Sequence, residues 1–385
     1  MVLNLGPHHP STHGVLRILL ELDGETVVRA TPELGYLHTG IEKSAEGLTY
    51  TQAISLFDRT DYLAPLSNNL GYVMAVEKLL DIEEVPPRAQ YLRVLLVELQ
   101  RVASHLVWLG TQALDLGAIS VFLYCFRERE QITDVFELVS GARMMTGYIR
   151  VGGLAQDVPN GFEERVRGVL DTLPARIDEY EQMLTQNRIW VQRTRGIGVL
   201  SPEDAIDLGV SGPTLRGSGV DWDIRRSHPY CGYERFQFDV PLGTTGDVYD
   251  RYLCRVQEMR ESLGIVEQAL EGLPNGPVSI DDRKVVPPPR EELPSSMEAL
   301  IHHFKLWTEG FRPPVGEVYV TIEGPRGELG YYLVSDGSAK PYRVRIRPPS
   351  FANLQALSRM VEGHLLADVV ATLASIDIVL GEVDR

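Results

Sequence analysis

Residues 86–117 read PPRAQYLRVLLVELQRVASHLVWLGTQALDLG and predict a long helix. Their apolar side chains recur at the i, i+3, i+4, i+7 spacing that forms one face of a helix. The residues on this face are Leu92, Leu95, Leu96, Leu99, Val102, Ala103, Leu106 and Val107. Pro86 and Pro87 open the segment, the pattern runs to about Asp115, and Gly117 supplies a stop. At 1.5 Å per residue, about 30 residues give a helix on the order of 45 Å long, which suits a bundle core.

Strand patterns lie on both sides of the helical region. Residues 16–22 alternate apolar and polar side chains, Asp23-Gly24 is a turn signal, and residues 26–30 continue as the hairpin partner. After residue 294, strand character returns at residues 317–323, 330–335 and 342–347, followed by a short helical ending at 365–375. Besides the long helix, helical patterns cover residues 127–145, 161–186 and 247–270.

This order of strands, helices and strands predicts the α+β class. We expect a central bundle of long helices and a β-sheet region formed by the N- and C-terminal segments, whose strands would join one sheet. The chain is therefore interpreted as one interwoven domain over residues 1–385. Its expected parts are an N-terminal β-hairpin with a histidine loop (1–35), a helical bundle (40–272), an extended connection rich in Pro and charge (273–294) and a C-terminal α/β part (295–385).

The overall charge narrows the class of partner. The 385 residues include 37 basic and 53 acidic side chains, a net charge of −16, which disfavours nucleic acid and electrostatic docking on an anionic bilayer. No apolar run approaches the roughly 20 residues of a spanning helix, and no secretory leader is recognised, so we expect any membrane association to come through a partner. Cys125, Cys231 and Cys254 are far apart and predict no disulfide framework, as in a reducing compartment.

The loop GPHHPSTHG at residues 6–14 contains three of the nine histidines, His8, His9 and His13. Its prolines and glycines predict a shaped loop before the first long strand. Imidazoles in such a loop can hydrogen-bond, transfer protons or bind a metal. Pro10 excludes a helical pair of zinc ligands and no Cys lies nearby, so no metal ligand is predicted. Loop histidines with a purely structural role remain the alternative.

Two further polar features are candidates for chemistry. Residues 58–62, DRTDY, form a polar cluster in an apolar context. The favoured interpretation is structural, with the charged residues forming ion pairs. The alternative interpretation is functional, with Tyr62 acting as a phenolic hydrogen-bond donor. Asp115 ends the long helix, where the helix dipole and apolar neighbours would both raise its pKa. An exposed Asp115 with an ordinary pKa is the alternative.

The glycine-rich segment 324–330, GPRGELG, lies between two predicted strands and does not precede a helix. It is therefore interpreted as a hairpin loop and not as a nucleotide-binding loop. No Walker motif, GxGxxG motif or nucleophile elbow is present in the sequence.

Several stretches together resemble the D subunit of proton-pumping NADH:quinone oxidoreductase, respiratory complex I. They extend from end to end of the chain in the order of that family. The matching stretches are GPHHPSTHGVLR (6–17), GYLHTGIEK (35–43), DRTDYL (58–63), AVEKLL (75–80), SHLVWLGTQALDLGA (104–118), FRERE (126–130), RGELGYYLVSDG (326–337), RIRPPSF (345–351) and SIDIVLGEVDR (375–385).

The resemblance implies a fold similar to that of nickel–iron hydrogenase large subunits. Those enzymes hold their metal with two CxxC pairs, one near each end of the chain. Neither pair occurs here, since residues 377–380 read DIVL and residues 49–53 contain no thiol. A metal-binding hydrogenase is therefore disfavoured, because soft metals need thiolates. In the family, the vacated pocket is one end of the quinone chamber.

The same resemblance implies roles for individual residues. His13 and Tyr62 match the residues that hydrogen-bond the two carbonyls of the quinone and donate protons, and Asp115 matches the acid that pairs with the histidine. His9 and Thr12 are expected beside the quinone. Arg59 is expected to support this site.

The resemblance also implies partners. Quinone is the substrate, and electrons would come from an iron–sulfur cluster in the neighbouring B subunit, because this chain has no thiol set to hold one. Other expected partners are the C subunit of the peripheral arm and the H subunit of the membrane arm, with this chain peripheral on the cytoplasmic side of the inner membrane. The alternative is a non-catalytic scaffold in a related membrane-bound hydrogenase-type or ferredoxin-dependent complex.

Overall fold

The computed structural model describes residues 1–7 and 14–385. In this part of the chain there are eight strands, β1 Val2–Leu5, β2 Arg17–Asp23, β3 Thr26–Glu33, β4 Ile149–Arg150, β5 Gly153–Leu154, β6 Gly316–Gly324, β7 Gly327–Ser335 and β8 Arg343–Arg347. The helices of the same residues are α1 Ile41–Ala45, α2 Tyr50–Phe57, α3 Pro65–Leu79, α4 Pro87–Asp115, α5 Ile119–Ser140, α6 Phe162–Leu184, α7 Arg188–Thr194, α8 Pro202–Asp207, α9 Gly212–Gly217, α10 Ile224–Ser227, α11 Val248–Glu271, α12 Met297–Thr308, α13 Pro349–Leu354, α14 Leu357–Val361, α15 Leu366–Ile376 and α16 Leu380–Asp384.

The predicted long helix is confirmed as α4, whose 29 residues span about 44 Å. Pro87 occupies its first turn, and Gly117, two residues after its end, adopts the left-handed conformation with a φ of 92°. α4 packs lengthwise against α5 and α11. Gly110 permits the close approach of α5, because a Cβ there would lie 3.4 Å from the Cβ of Cys125. α4 is therefore the central element of the main hydrophobic core.

One predicted helix has different bounds in the structure. The pattern assigned to residues 127–145 belongs to α5, which begins at Ile119 and ends at Ser140. The turn between α4 and α5 is so short that the new helix begins two residues after Gly117. Gly141 ends α5 because its φ of 79° lies in the left-handed region. Between the end of α11 and Met297, the structure contains no strand or α-helix.

The prediction that the terminal strands join one sheet is wrong. Strands β1–β3 form one antiparallel sheet, and β6–β8 form a separate one. Each sheet buries its apolar face against different helices, since β6 and β7 lie on α3 whereas β3 contacts α14. The two ends of the chain still meet, because the Val27 N–H donates to the His364 carbonyl at 2.8 Å and the Gly363 N–H donates to the Val27 carbonyl at 2.8 Å. The mixed helix and sheet composition agrees with the α+β class, and the domain division stays a prediction.

A second hydrophobic core lies between the N-terminal sheet and the C-terminal helices. Leu16, Ile18 and Leu20 of the first hairpin pack there with side chains from α14, α15 and α16. Ser358 of α14 donates from its hydroxyl to the carbonyl of Ala30 in β3. The last residues of the chain are thus held beside the first strands.

Buried charges connect the bundle with the second sheet. Glu98 and Arg101 of α4 and Glu258 of α11 are fully buried and form ion pairs with one another or with neighbouring arginines. Arg101 also donates to the carbonyls of Glu323 and Gly324 at 2.7 and 3.0 Å. Because a buried charge without partners is costly, this cluster fixes the position of the β6–β7 turn over the bundle.

No helix in residues 1–7 and 14–385 is long and apolar enough to cross a membrane.

Candidate functional site

The turn between α2 and α3 presents Tyr62. Asp58 ends α2, and the carboxylate of Asp61 accepts the N–H groups of Leu63 and Ala64 at 3.0 and 3.2 Å. These bonds fix the turn just before α3 begins at Pro65. The side chain of Tyr62 is half-buried, so its ring is held while part of it stays accessible.

Asp61 belongs to a buried ionic cluster assembled from three distant parts of the chain. Arg326, in the turn between β6 and β7, donates from Nη1 to Oδ2 of Asp61 at 2.6 Å. Its Nη2 lies 3.4 Å from Oδ1 of Asp377, directly after α15. All three side chains are buried. The ion-paired interpretation of residues 58–62 is confirmed, although the cation is Arg326.

Arg59 has a different position from that of its buried neighbours. Its side chain is exposed and donates from Nη1 to the carbonyl of Ser55. Its positive charge also lowers the pKa of Asp58, although burial outweighs this effect and raises that pKa to about 6. The supporting role expected for Arg59 stays a prediction.

Helix α16 closes the cluster from the other side. A Cβ at Gly381 would lie 2.6 Å from the carbonyl oxygen of Thr60 and 3.3 Å from Cε1 of Tyr62. Only glycine therefore permits this close approach of α16 to the turn. The next residue, Glu382, is buried and accepts the Ser350 N–H at 2.9 Å.

Burial changes the proton affinity of the acids in this region. Burial raises the pKa of Tyr62, and the negative charge of Asp61 raises it further. Burial also raises the pKa of Asp377 to about 6, against the opposing effect of Arg326. For Glu382, burial and the nearby Asp61 raise the pKa to about 8. The region therefore holds protons more tightly than a solvated surface would.

Asp115 ends α4 and is half-buried. Burial raises its pKa to about 6, which confirms the predicted direction. Two helical turns earlier on α4, Trp108 donates from Nε1 to the carbonyl of Ala374 at 2.9 Å. This bond joins the end of α4 to α15, the helix that leads to Asp377.

Of the histidine loop at residues 6–14, the structure describes only Gly6, Pro7 and Gly14. His8, His9, Thr12 and His13 lie outside the described residues. Gly14, the residue after His13, contacts α16, because a Cβ at Gly14 would lie 3.5 Å from Cδ1 of Leu380. The loop therefore ends against the same helix that contacts Tyr62.

Comparison with known proteins identifies the family. Residues 115–385 match the family described as the 49 kDa subunit of respiratory-chain NADH dehydrogenase. The chain is 65% identical to the D 2 subunit of NADH-quinone oxidoreductase from Roseiflexus sp. (strain RS-1), over 100% of this chain and 93% of the relative. It is 60% identical to the D subunit of the same enzyme from Geotalea uraniireducens and 59% identical to that from Geobacter sulfurreducens, each over 100% of this chain and 98% of the relative. The chain belongs to the family of NADH-quinone oxidoreductase D subunits.

Family membership confirms the resemblance and the assignment to an oxidoreductase that acts as an assembly of several subunits. The other subunits of that oxidoreductase are therefore partners of this chain. Among the residues that the structure describes, no group of three or more His, Cys, Asp or Glu side chains could hold a metal ion.

Three residues that the structure places at the candidate site, Arg326, Asp377 and Glu382, were not selected as candidates from the sequence. Arg326 lies in the glycine-rich loop that was interpreted as a hairpin, and the pairing of Gly324 with Gly327 confirms the hairpin. Asp377 and Glu382 lie in the C-terminal stretch that carried the resemblance. The sequence signal for each of them was a charged side chain within an apolar or glycine-rich segment. This signal does not identify the partners of the side chain, because they are remote in sequence.

Proposed function

We propose that this protein binds the quinone head group and supplies protons to it as electrons arrive. The main support is the placement of Tyr62, which is held half-buried between the Asp61–Arg326 ion pair and α16. A phenol fixed in this way can donate a hydrogen bond in one direction to a carbonyl oxygen. Because the pKa of Tyr62 is raised, the phenol carries its proton at neutral pH and can donate it to the reduced quinone.

His13 is proposed to donate to the second quinone carbonyl, with His9 and Thr12 beside it. The support is the contact between Gly14 and Leu380, since Tyr62 contacts the following residue, Gly381. Consecutive Cα atoms are about 3.8 Å apart, so Gly14 and the Tyr62 ring contact neighbouring residues of α16.

Asp115 is proposed to pair with His13 and to set which imidazole nitrogen carries the proton. An acid whose pKa is about 6 can change its protonation state near neutral pH, so it can take part when the histidine loses its proton. Arg59 is proposed to support the site through the electrostatic effect of its charge on Asp58.

Electrons are proposed to come from an iron–sulfur cluster in the B subunit, with the quinone at the interface between that protein and this chain. Cys125 and Cys254 are buried and remote from each other in sequence, and burial raises the pKa of both thiols, which disfavours the thiolates that such a cluster needs. The C and H subunits are proposed as further partners. We place the chain peripherally on the cytoplasmic side of the inner membrane, in one interwoven domain with the fold of hydrogenase large subunits.

Activity of the assembled complex tests this function. Tyr62→Phe removes the phenolic donor and preserves the ring, and His13→Ala removes the imidazole. We expect each variant to lower NADH:quinone reductase activity by about 100-fold, within the range for loss of a general acid. NADH oxidation with an artificial acceptor that does not use the quinone site should stay unchanged. Unchanged quinone reduction in both variants would instead support a scaffold role.

A further inference from the structure

Glu382 is a buried acid whose role the site chemistry above does not explain. It follows Gly381, the residue of α16 that contacts Cε1 of the Tyr62 ring. Its side chain is buried, and Oε1 accepts the N–H of Ser350 at 2.9 Å. One oxygen of the carboxyl group is thus held by the backbone of α13. The group is close enough to the turn between α2 and α3 for Asp61 to raise its pKa and for its own charge to raise the pKa of Tyr62.

The charges around Glu382 favour its neutral form. One guanidinium group, Arg326, interacts electrostatically with three buried carboxyl groups, Asp61, Asp377 and Glu382. Arg326 ion-pairs with both aspartates, at 2.6 and 3.4 Å. Within residues 1–7 and 14–385, no basic side chain lies within ion-pairing distance of Glu382. Because a third buried negative charge here would be uncompensated, Glu382 is the carboxyl group that keeps its proton.

We propose that Glu382 returns a proton to Tyr62 after each turnover. This inference rests on the proposed role of Tyr62 as a donor to quinone. The O–H bond of Tyr62 breaks as the quinone, reduced by two electrons from NADH through the complex, forms its own O–H bond. The O–H bond of Glu382 then breaks, the phenol of Tyr62 is restored, and the Glu382 carboxylate takes a new proton from water.

The direction of this transfer agrees with the local electrostatics. The pKa of Glu382 is about 8 and that of Tyr62 lies above its usual value of 10, so a proton moves downhill from the carboxyl group to the phenolate. On α16 itself, the one other charged side chain is Asp384, which accepts the N–H groups of Gly35 and Leu37. The titratable and charged groups that face Glu382 from neighbouring elements are Asp61 and Tyr62 of the α2–α3 turn, Arg326 of the β6–β7 turn and Tyr331 of β7. α13, which packs on α16, contributes Ser350 and no titratable side chain.

The decisive variant is Glu382→Gln, measured in the assembled complex. Glutamine keeps the volume and can still accept the Ser350 N–H, but it has no acidic proton to release. Quinone reductase activity is measured against quinone concentration between pH 6 and pH 9.5. In the parent complex kcat should fall as the pH rises through about 8, where Glu382 loses its proton. In the variant we expect kcat at pH 7 to fall about tenfold, a KM for quinone within about twofold of the parent value, and no fall near pH 8.

Asp384→Asn is the matched control on the same helix. Asp384 accepts the N–H groups of Gly35 and Leu37 at 2.8 and 2.6 Å, so its substitution weakens the anchoring of α16 without removing the acid beside Tyr62. This control should keep the alkaline fall in kcat near pH 8. Glu382→Asp keeps an ionisable carboxyl group and should restore at least half of the lost kcat.

An unchanged kcat and pH profile in Glu382→Gln would overturn the inference, as would Glu382→Asp with activity as low as that of Glu382→Gln. If Tyr62→Phe abolishes quinone reduction in the same assay, the proposed function stands even though the role of Glu382 fails. If Tyr62→Phe has no effect, the proposed function itself fails. If the Glu382→Gln complex does not assemble, the Glu382→Asp complex is measured instead. An alkaline fall in kcat with the same midpoint as in the parent complex would then contradict the inference that residue 382 supplies the proton.

Discussion

Arg326 donates to Asp61 across 2.6 Å, although 265 residues separate them in the chain. Both side chains are buried, and the same guanidinium lies 3.4 Å from Asp377. This contact joins the turn that carries Tyr62 to the β6–β7 hairpin and to the end of α15. The position of the phenol therefore depends on three segments that no local sequence pattern connects.

Removing the guanidinium should be strongly destabilising. In Arg326→Ala, two buried aspartates lose their cation, and breaking a buried ion pair typically costs about 3–5 kcal/mol of the free energy of unfolding. Urea denaturation of the isolated protein measures this loss. Arg359→Ala is the control, because Arg359 forms an exposed ion pair with Asp204 at 3.4 Å and should change the free energy by less than about 1 kcal/mol. Equal effects of the two variants would contradict the assigned role of Arg326.

A methyl group at residue 381 should displace the Tyr62 ring. In Gly381→Ala the new Cβ meets the Thr60 carbonyl at 2.6 Å, which is too close for a real contact, so α16 or the turn must shift. We expect the complex to assemble with quinone reductase activity lowered about tenfold or more, since misplacing a reacting group by about 1 Å can cost 100-fold.

Gly264→Ala is the control for this effect. Gly264 lies inside α11 with no neighbouring atom within 4 Å of a Cβ at that position. Alanine there should leave activity unchanged and raise the free energy of unfolding by about 0.5–1 kcal/mol, because it is a better helix former. Full activity of Gly381→Ala would show that the contact between α16 and the turn does not position Tyr62.

Asn353 should stabilise the β6–β7 turn that carries Arg326. Its buried amide accepts the Ser211 N–H at 3.0 Å and donates to the Arg326 carbonyl at 3.0 Å. In Asn353→Ala, both backbone groups lose their partner, so we expect a loss of about 2–4 kcal/mol in the free energy of unfolding. Urea midpoints measure this loss, and a change below about 0.5 kcal/mol would contradict the prediction.

The raised pKa of Asp115 should appear in the pH dependence of stability. The folded state, with a pKa of about 6, binds a proton more tightly than the unfolded chain does, at the ordinary value of 3.8. The stability contributed by this proton is fully present below pH 3.8 and is lost as the pH rises through about 6. Asp115→Asn lacks this titration, so its stability relative to the parent should increase between about pH 4 and pH 6 and stay constant above about pH 7.

Urea midpoints of both proteins at matched pH values measure this difference. Asp58 and Asp377 also have a pKa of about 6, so only the difference between variant and parent isolates Asp115. A difference that is independent of pH would mean that burial does not raise the pKa of Asp115.

The sequence by itself determined the features that depend on local pattern. The period of 3.6 residues in the segment 86–117 predicted α4 almost to the residue, because one helical face must be apolar to pack in a bundle. Alternation and turn residues predicted the first hairpin and the β6–β7 hairpin. The position of Asp115 after apolar residues at a helix end suggested a raised pKa but left an ordinary one open, and its burial in the structure decided between them.

Only the tertiary structure decided which distant residues meet. The strand patterns near the two ends did not reveal that they belong to separate sheets, because pairing depends on which helices cover each sheet. Arg326, Asp377 and Glu382 acquire their roles by being buried beside Asp61 and Tyr62, and local sequence does not encode contacts across hundreds of residues. The requirement for glycine at residue 381 has the same origin, since it is the Thr60 carbonyl, remote in the chain, that leaves no room for a Cβ.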